Sequence, residues 1–462
     1  KIIKLPFKVN SKSFNTAFDG ETQYILPLKR TFFKYFNIDD IDQNACQNLD
    51  KKMVEIKVNG DAVVVTINVP IRDTTYRVIE FKKEYSGTDI VKGNFLLGFF
   101  PFYRCEDNRL NRYSIMNCGS GARLNFVSVD NLDRNVDASS TIRTPQQKLV
   151  SQTEYYLVKS SFDLVEVSIG GVKGLIVPQM QKVGQVTNHY KFAVDFGTSN
   201  TYIAHTTTAQ PRPETLEIDD HDQQTVYLNK ANDFGDLTMM RPFMAREFAP
   251  VHLGKDFDIS YPARTATCET NNFESNTPDL FGTISIGFNM MHEPQALNIF
   301  KYKTGLKWLL EEHPGDQHHT NRVKYYFLQT LWMLKNESLM NDGDDTFDVY
   351  ITFPEAMKDQ ETLMDLWNWA KRELNINCNF FYGTEYSESI APYNCMATQI
   401  GGSSFLNIDI GGGTNDLLFV NKDANGHIAS AHYSSSMFAG DDLWGDGIQI
   451  SANAQLNNGF VD

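Results

Sequence analysis

Two segments of the sequence place an aspartate, glycines and hydroxyl side chains where an apolar run ends. In the first, FAVDFGTSNTYIAH (residues 192–205), the apolar run reaches Asp195 and then breaks. Glycine lets a backbone approach a phosphate group without a Cβ in the way, and the N–H groups of such a turn bind anions. Taken alone, the segment fits either a phosphate-binding turn or a plain tight turn. The residues of this turn are Gly197, Thr198, Ser199 and Asn200.

The second segment, FLNIDIGGGTNDLLFV (residues 405–420), repeats this order of residue types. An apolar run ends at Asp409, glycines and a hydroxyl follow, and a second apolar run begins. Because two such segments occur in one chain, two halves of a phosphate site explain them better than two unrelated turns. The residues that follow the aspartate in this second turn are Gly411, Gly412, Gly413, Thr414 and Asp416.

The two aspartates add a requirement to the phosphate interpretation. Carboxylates repel bare phosphates, so Asp195 and Asp409 fit such a site only if a cation lies between. Mg²⁺ takes oxygen ligands and keeps several water molecules. The pattern therefore predicts a magnesium ion held by these two carboxylates, largely through water.

Composition limits the classes of protein to which the chain can belong. Its 462 residues are 41% hydrophobic and 12% aromatic, which is enough for packed cores in two to four domains. A formal charge of −15 argues against nucleic acid or an anionic membrane as the main partner. The sequence has no apolar run long enough to span a membrane and no apparent secretory leader. Six scattered cysteines favour a reduced, cytoplasmic protein.

Hydrophobic patterning divides the chain into two parts. Residues 1–188 alternate apolar and polar positions between turns such as Asn59-Gly60-Asp61 and Gly170-Gly171, which predicts a β-rich module of unknown role. Residues 189–462 alternate strands with helical patterns, which predicts an α/β domain.

Three segments of the second part have helical periodicity. They are residues 296–312, residues 322–338 and a segment in which Leu363, Trp367, Ala370 and Leu374 share one face. The stretch 206–295 is polar and irregular by comparison.

The two turn segments resemble the phosphate motifs of the actin, sugar-kinase and heat-shock chaperone ATPase superfamily. VDFGTSNT is similar to the first motif and IDIGGGTND to the second. VYITFPEAM, TEYSESIAPY and MFAGDDLWGD resemble further segments of DnaK-type chaperones, and the resemblance covers about residues 189–462. It implies an actin-like (ribonuclease H-like) α/β ATPase domain. The chain ends soon after the second motif, so we expect the second lobe to be incomplete at its C-terminal end, and residues 1–188 match no recognised family.

The resemblance also implies roles for individual residues in a site that binds ATP and Mg²⁺ between two lobes. Asp195 and Asp409 would hold the hydrated ion, and Glu385 would orient the water that attacks the γ-phosphate. Lys303, or failing that Lys301, would reach the γ-phosphate from a helix. The phosphates would lie against Gly197, Thr198, Ser199, Asn200, Gly411, Gly412, Gly413 and Thr414, with Asp416 as the last acid of the second motif.

These features favour a DnaK-like ATPase whose nucleotide state controls the binding of a protein partner or client. An actin-like filament or scaffold ATPase is the first alternative. A sugar- or acid-kinase relative is the second, although no acceptor-side aspartate is recognisable. A binding module without activity is the third.

Overall fold

The computed structural model describes residues 1–18, 20–46, 49–71, 77–119, 121–143, 153–230, 248–269, 280–288, 301–396 and 402–444. The chain divides into two compact units. One comprises Lys1–Lys182 with Thr225–Met244, and the other comprises Val183–Gln224 with Ala245–Asp462. None of the helices in the described ranges combines the length and the apolar character needed to cross a bilayer.

Strands and short 3₁₀ turns make up the described part of Lys1–Lys182. Two turns that the sequence predicts join antiparallel strands in this part. Gly60 and Gly170 both have positive φ, and each lies between two antiparallel strands. The 3₁₀ turns are Arg30–Lys34, Ile38–Asp42, Gly87–Asp89, Asn108–Leu110 and Val129–Asn131. The strands are β1 (Ile2–Lys4), β2 (Phe14–Asn15), β3 (Asn44–Cys46), β4 (Leu49–Lys52), β5 (Val54–Asn59), β6 (Ala62–Pro70), β7 (Val78–Ser86), β8 (Ile90–Lys92), β9 (Phe95–Phe100), β10 (Tyr103–Cys105), β11 (Tyr113–Gly119), β12 (Arg123–Val127), β13 (Ala138–Arg143), β14 (Thr153–Val158), β15 (Leu164–Ile169), β16 (Val172–Pro178) and β17 (Gln181–Val183).

The rest of the chain continues with thirteen strands and five helices in the described ranges. The strands are β18 (Tyr190–Phe196), β19 (Asn200–Thr207), β20 (Glu214–Thr215), β21 (Val226–Tyr227), β22 (Ala263–Arg264), β23 (Thr267–Glu269), β24 (Ile284–Ile286), β25 (Lys301–Lys303), β26 (Asp348–Thr352), β27 (Asn379–Phe381), β28 (Ser404–Ile410), β29 (Asn415–Lys422) and β30 (Ile428–Ser436). The helices are α1 (Leu309–Glu312), α2 (Gln317–Met340), α3 (Gln360–Leu374), α4 (Ala391–Met396) and α5 (Gly440–Trp444), and Thr384–Tyr386 is a further 3₁₀ turn.

The main sheet of the second unit has the strand order β20-β19-β18-β26-β27, and β22 also pairs with β19. Strands β18 and β19 form an antiparallel hairpin, whereas β26 and β27 run parallel to β18. Two parallel strands joined through a helix, here β26, α3 and β27, are typical of an α/β architecture. The described structure is therefore mixed α/β and rich in strands, as the patterning predicted.

Helices α2 and α3 share an aromatic core with this sheet. Trp367 of α3 stacks on Phe327 of α2 with ring centroids 4.3 Å apart, and Phe327 lies 4.9 Å from Phe196 of β18. The apolar face predicted for α3 is buried throughout. This packing fixes the end of β18, where the first aspartate lies.

The segment 296–312 departs from its predicted helix. Residues 296–300 lie outside the described ranges, and the described remainder holds strand β25, a turn and only the short helix α1. Strand β25 is held by antiparallel pairing with β23, with Lys303 opposite Thr267. Tertiary pairing thus overrides the local helical periodicity.

Candidate functional site

The two aspartate-glycine turns line one cavity of 170 Å³ in the second unit. Each turn joins two antiparallel strands, β18 to β19 and β28 to β29, so each presents its loop backbone at the end of a hairpin. Two further charged side chains, from segments far from both turns, complete the lining. The residues that line the cavity are Asp195, Gly197, Thr198, Ser199, Asn200, Lys307, Glu388, Asp409, Gly411, Gly412, Thr414 and Asp416.

Close backbone approach shapes the first turn. A Cβ on Gly197 would collide with the carbonyl oxygen of Asn200, so only glycine fits this position. Thr198 Oγ1 accepts a hydrogen bond of 2.9 Å from Trp308 Nε1, and the carbonyl of Ser199 accepts one of 3.0 Å from the backbone N–H of Thr265. These bonds hold the loop in position at the cavity wall.

The second turn places two acids opposite each other. Asp409 and Asp416 are cross-strand partners in the β28–β29 hairpin, and the backbone N–H of Gly411 closes the turn by a 2.9 Å bond to the carbonyl of Thr414. Thr414 and Asp416 are buried, and Ser389 Oγ donates to Asp416 Oδ1 at 3.4 Å. The glycine-rich stretch is therefore a fixed turn and not a loose connector.

The two turns also meet through the segment that follows β30. Ser199 Oγ donates to Asp441 Oδ2 at 2.7 Å, and the backbone N–H of Asp441 donates to the carbonyl of Gly412 at 2.8 Å. A Cβ on Gly412 would overlap the Ser199 side chain and lie 2.9 Å from Asp441 Oδ2. Glycine at this position is therefore what lets the turns approach each other.

We expect Gly412→Ala to weaken phosphate binding in this cavity by about tenfold or more, because the added methyl group must push the two turns apart. The measurement is the dissociation constant for Mg-ATP by calorimetry. Gly402→Ala is the matched control, since its Cβ would meet only the backbone of Ser404 at 3.3 Å. Equal affinity of the two variants would contradict this reading of the turn.

Lys307 and Glu388 form a buried ion pair at the cavity wall. The lysine side chain is 1% exposed and the glutamate side chain 14%. Burial raises the pKa of Glu388 to about 7, Lys307 opposes that rise, and the charge of Asp195 adds to it. Glu388 therefore changes its protonation state near neutral pH, as a group that handles protons at that pH must.

Two aspartates of the cavity, Asp195 and Asp409, have a raised pKa. Burial is the main cause of the raised pKa of Asp195, with Lys307 lowering it and Asp409 raising it. Burial and the neighbouring Asp416 raise the pKa of Asp409 in the same way. Such repulsion is relieved by a bound cation. Among the described residues, no group of three His, Cys, Asp or Glu side chains is arranged to hold a metal ion.

Two residues proposed from the sequence lie away from the cavity lining, and neighbours in the chain take their positions. Lys303 lies in strand β25, whereas the chain turns at Gly305, with φ of 63°, and directs Lys307 inward. Glu385 is exposed in a 3₁₀ turn, whereas Glu388 lines the cavity because its backbone N–H donates to the carbonyl of Phe353 at 3.1 Å.

Gly413 is a further proposed residue outside the lining. It packs against Thr198 and Trp308, and a Cβ at this position would lie 2.7 Å from Trp308 Nε1. Lys301, the alternative to Lys303, lies in the same strand β25. The structure gathers the other proposed residues in the cavity, and their roles stay predictions.

The sequence held a weak signal for both residues that it missed. The segment TEYSESIAPY contains two glutamates. Glu385 stands two residues before Ser387, whereas Glu388 stands directly before Ser389 and the apolar start of a helix. Lys307 follows Gly305 by two residues, and a glycine is the natural point for a strand to end and turn.

Comparisons with known proteins return no family model and no curated protein that matches the chain. Among solved structures, the chain is similar to a Ppx/GppA family member from Aquifex aeolicus, with 11% identity, a TM-score of 0.25, and coverage of 54% of this chain and 51% of that one. A type II variant of the Aquifex aeolicus Ppx/GppA phosphatase matches with 9% identity, a TM-score of 0.26, and coverage of 53% and 52%. The chain thus spans about half the length of these two structures.

Proposed function

We propose that this chain binds ATP with Mg²⁺ in the cavity between the two aspartate-glycine turns and hydrolyses it. The observation that carries the proposal is the convergence of both turns, Lys307 and Glu388 on one cavity. At 170 Å³ the cavity is smaller than the roughly 300–1,000 Å³ typical of sites for whole ligands. It therefore suits the phosphate end of a nucleotide, with the base and sugar outside it.

Positioning and charge neutralisation account for most of the catalysis of phosphoryl transfer. In the proposed site, backbone N–H groups and hydroxyls of both turns bind the phosphate oxygens. Lys307 would neutralise charge on the terminal phosphate. Its ammonium group is buried in the cavity wall, where water screens its charge less than it does at the surface. Glycine at Gly197 lets the first turn close on Asn200, and glycine at Gly412 lets the two turns approach each other.

The proposed magnesium site consists of Asp195 and Asp409, with Asp416 beside them. The fit rests on the donor set, because the carboxylates of the lining outnumber its one lysine. Burial, and next to it the charge of a neighbouring carboxylate, raises the pKa of Asp195 and of Asp409. Bound there, the ion would supply charge neutralisation for the phosphates. The residues would hold it mainly through its water ligands.

Glu388 is the residue we propose to orient and deprotonate the attacking water. It lines the same cavity as both turns, and burial brings its pKa to about 7, where a general base is most effective at neutral pH. The same role was expected from the sequence for Glu385, which is exposed. The site geometry supports Glu388 in that role.

The wider proposal is membership of the actin, sugar-kinase and heat-shock chaperone ATPase superfamily. Its support is the pair of strand-turn-strand phosphate motifs and a parallel extension of the β18–β19 hairpin by β26 and β27. The finer sequence interpretation, a DnaK-like protein whose nucleotide state controls client binding, rests on the sequence resemblance alone. No described feature favours the filament or kinase alternatives over it.

The experiment that tests the proposed function is calorimetry of the purified chain with ATP and Mg²⁺, followed by measurement of phosphate release. Saturable binding that requires Mg²⁺, with release of phosphate, is the expected result. Absence of binding would overturn the proposal. Sedimentation with and without ATP addresses the filament alternative, since nucleotide-dependent assembly would favour it over a chaperone.

A further inference from the structure

The first unit contains a cavity of 590 Å³, a volume within the range of about 300–1,000 Å³ that is typical of sites for small molecules. All its lining residues belong to the segment Lys1–Lys182, so it shares none with the proposed nucleotide cavity. We call it the aromatic cavity, because three phenylalanines line it. They are Phe33, Phe36 and Phe162.

Packing holds these three rings in place. Phe33 is 7% exposed and belongs to a hydrophobic core cluster, and Phe36 stacks on Phe32 with ring centroids 4.6 Å apart. Phe162 is 1% exposed and meets the ring of Phe126 edge-on, with centroids 5.1 Å apart. Aromatic rings prefer offset-stacked or edge-to-face neighbours. A wall of fixed rings therefore favours a ligand that carries an aromatic ring of its own.

Asn15 is a polar residue buried in the wall of the same cavity. It is 6% exposed, lies in β2 opposite Val177 of β16, and lines the cavity. Its Oδ1 has no hydrogen-bond partner among the described residues. A buried amide oxygen without a donor is costly, so this atom points to a hydrogen-bond donor on a bound molecule.

Arg104 supplies a positive charge at the cavity. Its Nη1 donates to Oδ1 of the buried Asp163. Asp163 Oδ2 accepts from the backbone N–H of Val129 at 2.9 Å and from Ser128 Oγ at 3.2 Å, so both oxygens of this carboxylate are occupied within the protein. A guanidinium group has five N–H donors, and the bond to Asp163 uses one of them. The Arg104 side chain is 35% exposed and can therefore bind an anion as well.

The remaining charged residues of the lining are Lys182 and Asp39, and both are exposed. Water and salt screen exposed charges, so the part-buried Arg104 determines which charge the cavity prefers. A carboxylate matches a guanidinium group in shape, because its two oxygens can accept two parallel N–H bonds. Its single negative charge also costs less to bury beside one arginine than the two charges of a phosphate monoester.

We propose that the aromatic cavity binds a small aromatic carboxylate whose ring carries a hydrogen-bond donor. The carboxylate accepts from Arg104, the donor of the ring binds Asn15 Oδ1, and the ring packs against Phe33, Phe36 and Phe162. The proposal does not depend on ATP hydrolysis, since none of these residues lines the proposed nucleotide cavity.

The test is calorimetry of the whole chain without nucleotide, with indole-3-propanoate as the probe. Its indole N–H is the donor of the ring, and its side chain ends in the carboxylate. We expect saturable binding of this compound. Binding should be about tenfold or more weaker for indole-3-propanamide, which lacks the charge, and about threefold or more weaker for 1-methylindole-3-propanoate, which lacks the N–H donor.

Variants of the chain test the same contacts from the protein side. Arg104→Lys keeps a positive charge beside Asp163 but loses the planar fork of donors, so we expect it to bind the probe about tenfold or more weakly. Lys92→Met is the control, since it removes an exposed lysine of β8 outside the lining and should bind as the unmodified chain does.

Asn15→Ala is the second variant, and it decides the matter if Arg104→Lys fails to fold, as judged by thermal unfolding. In Asn15→Ala, indole-3-propanoate and its 1-methyl derivative should bind equally, because the acceptor for the N–H group is gone.

Four results would overturn the proposal. The first is absence of saturable binding of indole-3-propanoate to the unmodified chain. The second is equal affinity of the unmodified chain for the carboxylate and the amide. The third is equal binding of the probe to Arg104→Lys and to Lys92→Met. The fourth is a preference for the N–H compound over its 1-methyl derivative that is missing from the unmodified chain or unchanged in Asn15→Ala.

Discussion

Glu388→Gln is expected to slow ATP hydrolysis by about 10²–10⁴-fold while Mg-ATP still binds, because a positioned general base contributes a rate factor of that size. Glutamine keeps the size of the side chain and can still accept a hydrogen bond from Lys307, but it cannot take a proton from water. The measurements are single-turnover hydrolysis and calorimetric binding of Mg-ATP. Thermal unfolding verifies that the variant is folded.

The matched control for this variant is Glu385→Gln. Glu385 lies three residues earlier in the same segment, but its side chain is exposed outside the cavity. We expect Glu385→Gln to hydrolyse ATP at close to the unmodified rate. A large loss in Glu385→Gln with little change in Glu388→Gln would restore the role that the sequence resemblance implies and refute the role proposed for Glu388.

The pH dependence of kcat/KM is a second test of the role of Glu388. The pKa of Glu388 is raised to about 7, so its carboxyl is protonated below that pH and ionised above it. A base must be ionised to accept a proton, so kcat/KM should fall as the pH is lowered through about 7. The fall should approach roughly tenfold per pH unit at lower pH. This dependence should be absent from the residual activity of Glu388→Gln.

Lys307→Met is the second change for which we expect a large effect, a loss of hydrolysis of about 10²–10³-fold, as for removal of one preorganised charge-stabilising donor. Two causes act together. The terminal phosphate loses a buried positive charge, and Glu388 loses the ammonium group that lowers its pKa, so Glu388 becomes protonated at neutral pH. Single-turnover hydrolysis from pH 6 to pH 9 measures both. Lys303→Met, in strand β25, is the control and should retain most of the activity.

The stability of Lys307→Met should depend on pH in a defined direction. Removing one partner of a buried pair costs about 3–5 kcal/mol when the other charge must remain ionised. Glu388 can instead take up a proton at low pH, so the free energy of unfolding lost in the variant should be small below pH 7 and should grow as the pH rises. The double variant Lys307→Met with Glu388→Gln should recover stability at high pH without recovering hydrolysis. A loss of stability that does not change with pH would show that Glu388 does not take up a proton when Lys307 is removed.

Local features of the sequence predict a large part of the fold. The turns at Gly60 and Gly170, the long helix α2 and the buried face of α3 all follow from residue patterns within a few positions of one another. Both aspartate-glycine turns were recognisable for the same reason: the apolar strand, the acid and the glycines are adjacent in the chain. Such patterns reflect steric and hydrophobic constraints that act over short sequence distances.

What the sequence determined by itself was therefore the chemistry of each half of the candidate site. Only the tertiary structure decided which lysine and which further carboxylate join the two halves of the candidate site. The choice of Lys307 over Lys303 depends on the pairing of β25 with β23 and the turn at Gly305, and that of Glu388 over Glu385 depends on a hydrogen bond to Phe353. Contacts between residues far apart in the chain depend on how whole elements pack, and no local pattern records that packing.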